Sequence, residues 1–250
     1  MTLCPATPVC GEIVIDTNCV LDLWVFDDPA ARPLRAALEG GALRWLATAG
    51  MRDELARVLA AGGDASKVIF SGVGKTRAEM RQALAAGIGC FNVESEAELE
   101  VLNEVALDMG TQAPVSIRVN PNVDAKTHPY ISTGLKGNKF GVAHERTLAT
   151  YQRAAALPGL RVVGIDCHIG SQITEVSPYL DAVDRVLDLV QGIEAAGIAI
   201  HHIDFGGGLG ITYNGETPPA ADALWQQLLA KLDARGYGDR QLMIEPGRSL

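Results

Sequence analysis

A chain of 250 residues suffices for one α/β barrel or two small domains, and 48% hydrophobic with 20% charged residues is an ordinary globular balance. A net charge of −9 and 5% aromatic residues argue against a broad nucleic-acid surface, which needs clustered lysine and arginine and stacking rings. There is no run of 18 apolar residues to span a membrane and no basic, apolar leader in MTLCPATPVCGE; five scattered cysteines lack any CxxC pair, so neither a zinc site nor a disulfide framework is indicated, and the cytoplasm is the expected compartment.

In chain order, GEIVIDTN (11–18) reads as a strand, about 29–39 as a helix, ALRWLATA (42–49) as a strand, and MRDELARVLAAGGDASK (51–67) begins with a helix. Then KVIFSG (67–72) is a buried strand, and TRAEMRQALAAG (76–87) is a helix closed by glycine. CFNVES (90–95) and VSIRVNP (115–121) are strands on either side of the helix EAELEVLNEVALDMG (96–110). A polar loop, NVDAKTHPYISTGLKGNKFG, runs from 122 to 141, and loops of that length are usually functional. Beyond it come a helix over about 145–156, the strand RVVGIDCHIGS (161–171) and a long helix over 178–197. HHIDFGGG (201–208), a helix over 220–236, and LMIEPG (242–247) complete the series. Strands separated by single helices predict a parallel sheet with right-handed crossovers. Six strands after residue 61 and two before it make eight, the number required by a (β/α)₈ TIM-type barrel, with the last helix missing.

In such a barrel, function gathers at the C-terminal strand ends. Three successive ends carry unusual residues: His168 and Ser171, then Gly206, Gly207 and Gly208, then Glu245, Gly247 and Arg248. Taken singly, the glycines are a turn, His168 a hydrogen-bonded buried histidine, and EPGR a turn with a surface ion pair. Together they predict an anion nest of glycine amides with Ser171 and Arg248. In the same reading Glu245 can keep a pyridinium nitrogen protonated while His168 lies flat against the ring.

From about residue 54 to 250 the chain resembles the diaminopimelate decarboxylase family. The resemblance rests on VIFSGVGKT, CFNVES, RVNPNVDAKTHPYISTGLKGNKFG, GIDCHIGSQ, DFGGGLG and EPGRSL. It implies a PLP-binding barrel (pyridoxal 5'-phosphate) of the alanine racemase-like group. The reaction implied is meso-diaminopimelate to L-lysine and carbon dioxide, in lysine biosynthesis. His168, Ser171, Gly206, Gly207, Gly208, Glu245, Gly247 and Arg248 match the family's cofactor-binding positions, and Arg248 also its substrate-carboxylate contact. The family holds its cofactor as an imine on a lysine in a segment like YAVKAN at the end of the first barrel strand, and no such segment exists here. The lysines are Lys67, Lys75, Lys126, Lys136, Lys139 and Lys231; Lys75 alone sits at a strand end, at a different family position. A second, mostly-β domain follows the barrel in the family and supplies substrate contacts and dimer interface. A chain stopping at GRSL is expected to lack both, and with the lysine absent it is expected to be catalytically inactive.

The front resembles a different family. IVIDTNCVLDLW followed by RDEL is similar to the N-terminal half of PIN-domain nucleases, which hydrolyse RNA with Mg²⁺ or Mn²⁺ held by carboxylates. Asp16 and Glu54 match its metal-site acids, and Asp22, Asp27 and Asp28 read as solvated surface charges. The stretch 54–60 suits both families. The sequence therefore predicts a chimera, with a PIN-like fragment over 1–60 and a partial PLP-binding barrel over 61–250. Strands 11–16 and 43–47 are expected to insert as barrel strands one and two. An amino-acid substrate is the partner this organisation implies.

Overall fold

The computed structural model describes the backbone of residues 11–15, 43–48 and 52–54, and both backbone and side chains of 55–123, 141–212 and 215–247. Nine strands run through these parts: β1 (Gly11–Ile15), β2 (Leu43–Thr48), β3 (Val68–Phe70), β4 (Cys90–Val93), β5 (Ala113–Asn120), β6 (Val142–Ala143), β7 (Leu160–Cys167), β8 (His202–Asp204) and β9 (Gln241–Met243). The described helices are α1 (Arg52–Ala60), α2 (Arg77–Ala86), α3 (Glu96–Asp108), α4 (Thr147–Ala156), α5 (Ser177–Ala195) and α6 (Ala221–Ala234). The helix predicted at 29–39 and most of the 122–141 loop lie outside the described residues.

All pairings are parallel, in the order β1-β2-β3-β4-β5-β7-β8-β9. The two-residue β6, which the sequence reading did not anticipate, pairs with β5 off this path. As predicted, the early strands join the sheet: β1 pairs β2 from Gly11↔Leu43 to Ile15↔Ala47, and β2 reaches β3 through Ala47↔Val68 and Thr48↔Ile69. At the other edge β9 lies within 8 Å of β1, Cα to Cα, so the sheet curls back on itself. No ladder links that pair among the described residues.

Local chemistry sets the helix boundaries. Thr76 and Glu79 form a reciprocal capping box at the start of α2, and Gly87, at φ 73°, ends that helix in the left-handed conformation open to glycine. Alternation along the strands then divides the core in two. Phe91, Val93, Val115, Ile117, Val119, Ile165 and Ile203 face the helices and join one large apolar cluster with them. Ile69, Cys90, Val163 and Met243 form a separate plug inside the barrel. A bulge at Val115/Ser116 shifts the β5–β7 register, and the Tyr151 hydroxyl donates to the Gly164 carbonyl beside it at 2.8 Å. Gly164 has no alternative there, since a Cβ would meet His202 Nε2 at 2.0 Å. No described helix is long and apolar enough to cross a membrane.

Candidate active site

Above the apolar plug, the inward positions turn polar. Asn92 on β4, Ser116 on β5, Asp166 on β7 and Asp204 on β8 are all buried. The register sets Arg118 beside Asp166, and Asp166 beside Asp204. Glu94, just past β4, receives a 3.0 Å hydrogen bond from Arg118 Nη1. Ser71, just past β3, and Glu245, just past β9, complete the rim. The resemblance did not single out Ser71, Asn92, Glu94, Arg118, Asp166 or Asp204. Their signal was available, as polar residues on alternate positions of otherwise apolar strands such as VSIRVN and GIDC, the mark of an inward-facing face.

The structure brings His168, Gly206, Gly207, Gly208 and Glu245 together. His168 Nδ1 accepts from the Gly207 amide at 3.2 Å and stands 3.9 Å from Glu245 Oε2. Burial, helped by Arg118, lowers the His168 pKa to about 4, so the imidazole is neutral at neutral pH and the contact with Glu245 is not an ion pair. The glycines are needed for close approach. A Cβ on Gly207 would meet the Glu245 carbonyl at 2.0 Å, one on Gly208 the Gly170 carbonyl at 2.1 Å, and one on Gly206 the Cys167 carbonyl at 2.7 Å. Two of the three amides serve the protein itself, because Gly206 N donates to Asp204 Oδ1 at 2.9 Å and Gly207 N to His168. The Gly208 amide makes no hydrogen bond among the described residues. Ser171 sits half-buried past β7, Gly247 is exposed past β9, and Arg248 lies outside the described residues.

Charge in this mouth is unusual. Burial raises Asp166 well above the ordinary carboxylate range, with Glu245 adding and Arg118 opposing. Burial likewise raises Asp204, reinforced by Glu245 and Asp166 and opposed by the Gly206 and Asn92 amides. Glu245 is raised by burial, against Arg118 and the Ser71 hydroxyl. For Arg118, burial works to lower the pKa, but Asp166 and Glu94 outweigh it and the guanidinium is held more firmly charged. Glu94 Oε2, Asp166 Oδ1 and Asp204 Oδ2 are buried and accept no hydrogen bond among the described residues. Since Asp166, Asp204 and Glu245 hold protons more tightly than free carboxyls do, the site repels an incoming anion less than its four side-chain acids would in water.

Lys75 is committed elsewhere. Its ammonium, 1% exposed, donates to the Gly72 carbonyl (2.6 Å), the Asn92 carbonyl (2.7 Å) and Glu98 Oε1 (2.7 Å), which uses all three protons. Lys231 pairs with Asp184 between α5 and α6, away from the mouth. No cluster of three or more His, Cys, Asp or Glu side chains able to hold a metal exists among the described residues. Of the acids suggested for a metal site, Asp16 and the Glu54 side chain lie outside those residues.

The family model for the pyridoxal-binding domain of pyridoxal-dependent decarboxylases matches residues 42–250. Diaminopimelate decarboxylase of Pseudomonas aeruginosa is 57% identical over 199 residues, 80% of this chain and 47% of the relative. That of Vibrio cholerae is 56% identical over 197 residues, 79% of this chain and 47% of the relative. The crystal structure of the Helicobacter pylori enzyme complexed with L-lysine superposes with a TM-score of 0.81 at 36% identity, over 96% of this chain and 57% of that one. The chain thus spans about half the length of the curated relatives it matches. The family match begins at residue 42, inside the stretch read above as nuclease-like, and the nuclease resemblance finds no support.

Proposed function

The chain belongs to the pyridoxal-dependent decarboxylases through their pyridoxal-binding domain, and from that premise we propose a barrel of diaminopimelate decarboxylase type that holds pyridoxal phosphate without a covalent bond to lysine and does not turn over. The observation that carries the reading is the pairing of a neutral His168 with Glu245, 3.9 Å apart at the ends of β7 and β9. An uncharged imidazole suits the face of an aromatic ring, and a carboxylate beside it suits a protonated ring nitrogen. The donor set is also suitable for the group. The Gly208 amide, Ser171, Gly247 and Arg248 would hold the phosphate, with Arg248 also meeting a substrate carboxylate, and Arg118 would offset the negative charge of the mouth.

When bound, pyridoxal phosphate supplies the sink for the electrons left as carbon dioxide departs. The work of the chain's own residues is to orient, to screen charge and to hold a proton. Glu245 would keep the ring nitrogen protonated, and the Gly207 amide fixes the His168 ring by donating to Nδ1. Loss of turnover is supported by content: residues 1–66 contain no lysine, so β1 and β2 bring no amine to the mouth, and Lys75 is buried with every proton engaged. The substrate class is a diamino dicarboxylic acid, on the strength of the Pseudomonas and Vibrio relatives. The test combines equilibrium dialysis of the purified chain against pyridoxal phosphate with carbon dioxide release from meso-diaminopimelate. Saturable binding that Glu245→Gln weakens, with no release above a protein-free control, is expected. Absence of binding would defeat the cofactor reading, and release that follows the protein through purification would defeat the inactivity.

A further inference from the structure

We infer that Ser71, oriented by Asn92, is a positioning residue that aims the Glu245 carboxylate across the mouth of the barrel. β3 and β9 are not neighbours in the sheet, since β1 and β2 lie between them. Yet Ser71 Oγ lies 3.5 Å from Glu245 Oε1, spanning that interval directly. On its other side, Asn92 Nδ2 donates to the same hydroxyl at 3.0 Å. A serine hydroxyl has one proton, so a lone pair engaged by Asn92 leaves that proton for Glu245. The Asn92 amide is itself fixed: it is fully buried, its Oδ1 faces the Cys90 thiol at 3.9 Å, and its Nδ2 serves Ser71.

Glu245 is then held at both ends. Its backbone amide donates to the Gly206 carbonyl at 2.9 Å, Oε1 meets Ser71, and Oε2 points to His168. The charged and titratable groups facing it from the described elements are Glu94 past β4, Arg118 on β5, Asp166 on β7, His168 past β7 and Asp204 on β8. All of those act across space, and Ser71 is the hydrogen-bond donor that stabilises the charged carboxylate directly. Losing it leaves burial less opposed, and a carboxyl that takes up its own proton can no longer hold one on a ring nitrogen. The functional consequence rests on the cofactor reading above; the hydrogen bond does not.

The experiment is a carbon-13 NMR titration of the glutamate-labelled chain without cofactor, the Glu245 signal being identified by its loss in Glu245→Gln. Ser71→Ala is expected to raise the Glu245 midpoint by about one pH unit, the effect of one lost hydrogen bond to a charged acceptor. Ser71→Thr, which keeps the hydroxyl, leaves the midpoint in place. Should Ser71→Ala fail to fold, Ser71→Cys keeps the size with a weaker donor and shifts the midpoint the same way by less. A folded Ser71→Ala or Ser71→Cys chain that titrates like the parent overturns the inference, whether or not pyridoxal phosphate binds. A shifted midpoint in a chain that does not bind pyridoxal phosphate upholds the role of Ser71 and removes the cofactor reading instead.

Discussion

Gly207 shows how little room the mouth leaves, because its missing side chain is what admits the Glu245 carbonyl. Gly207→Ala forces a methyl group against the Glu245 main chain. Overpacking of that kind costs about 1–3 kcal/mol, and urea denaturation should show a loss of that size. Gly247, four residues beyond the end of β9, is the control, since a Cβ there meets nothing within 4 Å among the described residues, and Gly247→Ala should stay within about 0.5 kcal/mol of the parent. The histidines give a pH signature of their own. Burial lowers both His168 and His202 to about 4, from an ordinary value of 6.5. Between those values the unfolded chain binds more protons than the folded one, so their contribution to stability is present above pH 6.5 and is lost as pH falls toward 4. Asp166 and Asp204 act in the opposite sense, since a raised carboxyl favours the fold at low pH and loses that advantage as pH rises through its folded value. His202→Gln should therefore flatten the fall in urea midpoint between pH 6.5 and 4, and an unchanged slope would show that His202 titrates normally.

Lys75 matters as part of an element rather than as a reactive amine. It ties the turn after β3 to the end of β4 and to the first turn of α3, where Glu98 also accepts from the Glu94 amide at 3.2 Å. Removing one member of a buried pair leaves a carboxylate without compensation, at a cost of about 3–5 kcal/mol. Lys75→Met should lose that much in chemical denaturation, and adding Glu98→Gln should recover a good part of it. Additive losses would instead mean that the two side chains do not interact. At this scale the sequence was most readable. Short apolar runs located β3, β4, β5, β7, β8 and β9 to within a few residues, and the capping box and Gly87 fixed α2. The two-residue β6 was not readable, because nothing in VA separates a strand from the end of a loop. Nor was the Lys75 network, whose acceptors are two main-chain carbonyls and a glutamate 23 residues away. The Ser71–Glu245 contact spans 174 residues and exists only once the sheet has curled.

For the whole molecule, the informative fact is that two lysine-free strands sit in line with the six that carry the site. Ladder hydrogen bonds from β1 through β2 to β3 predict that amides at 11–15 and 43–48 exchange with deuterium as slowly as those of the neighbouring strands. Exchange at the rate of an unprotected chain would mean that the first two strands are not part of the sheet. Three strand ends rich in glycine, histidine and acid made the mouth legible beforehand. The acidic interior was visible only as isolated polar letters, and its meaning came from the curling that brings Asp166, Asp204 and Glu245 within electrostatic reach of one another. The most direct measurement of the central claim is borohydride reduction of the chain saturated with pyridoxal phosphate, followed by intact and peptide mass spectrometry. Cofactor should be retained on dialysis before reduction, and no pyridoxyl adduct should appear on any lysine after it. A stoichiometric adduct on one lysine, Lys75 or any other, would contradict that claim.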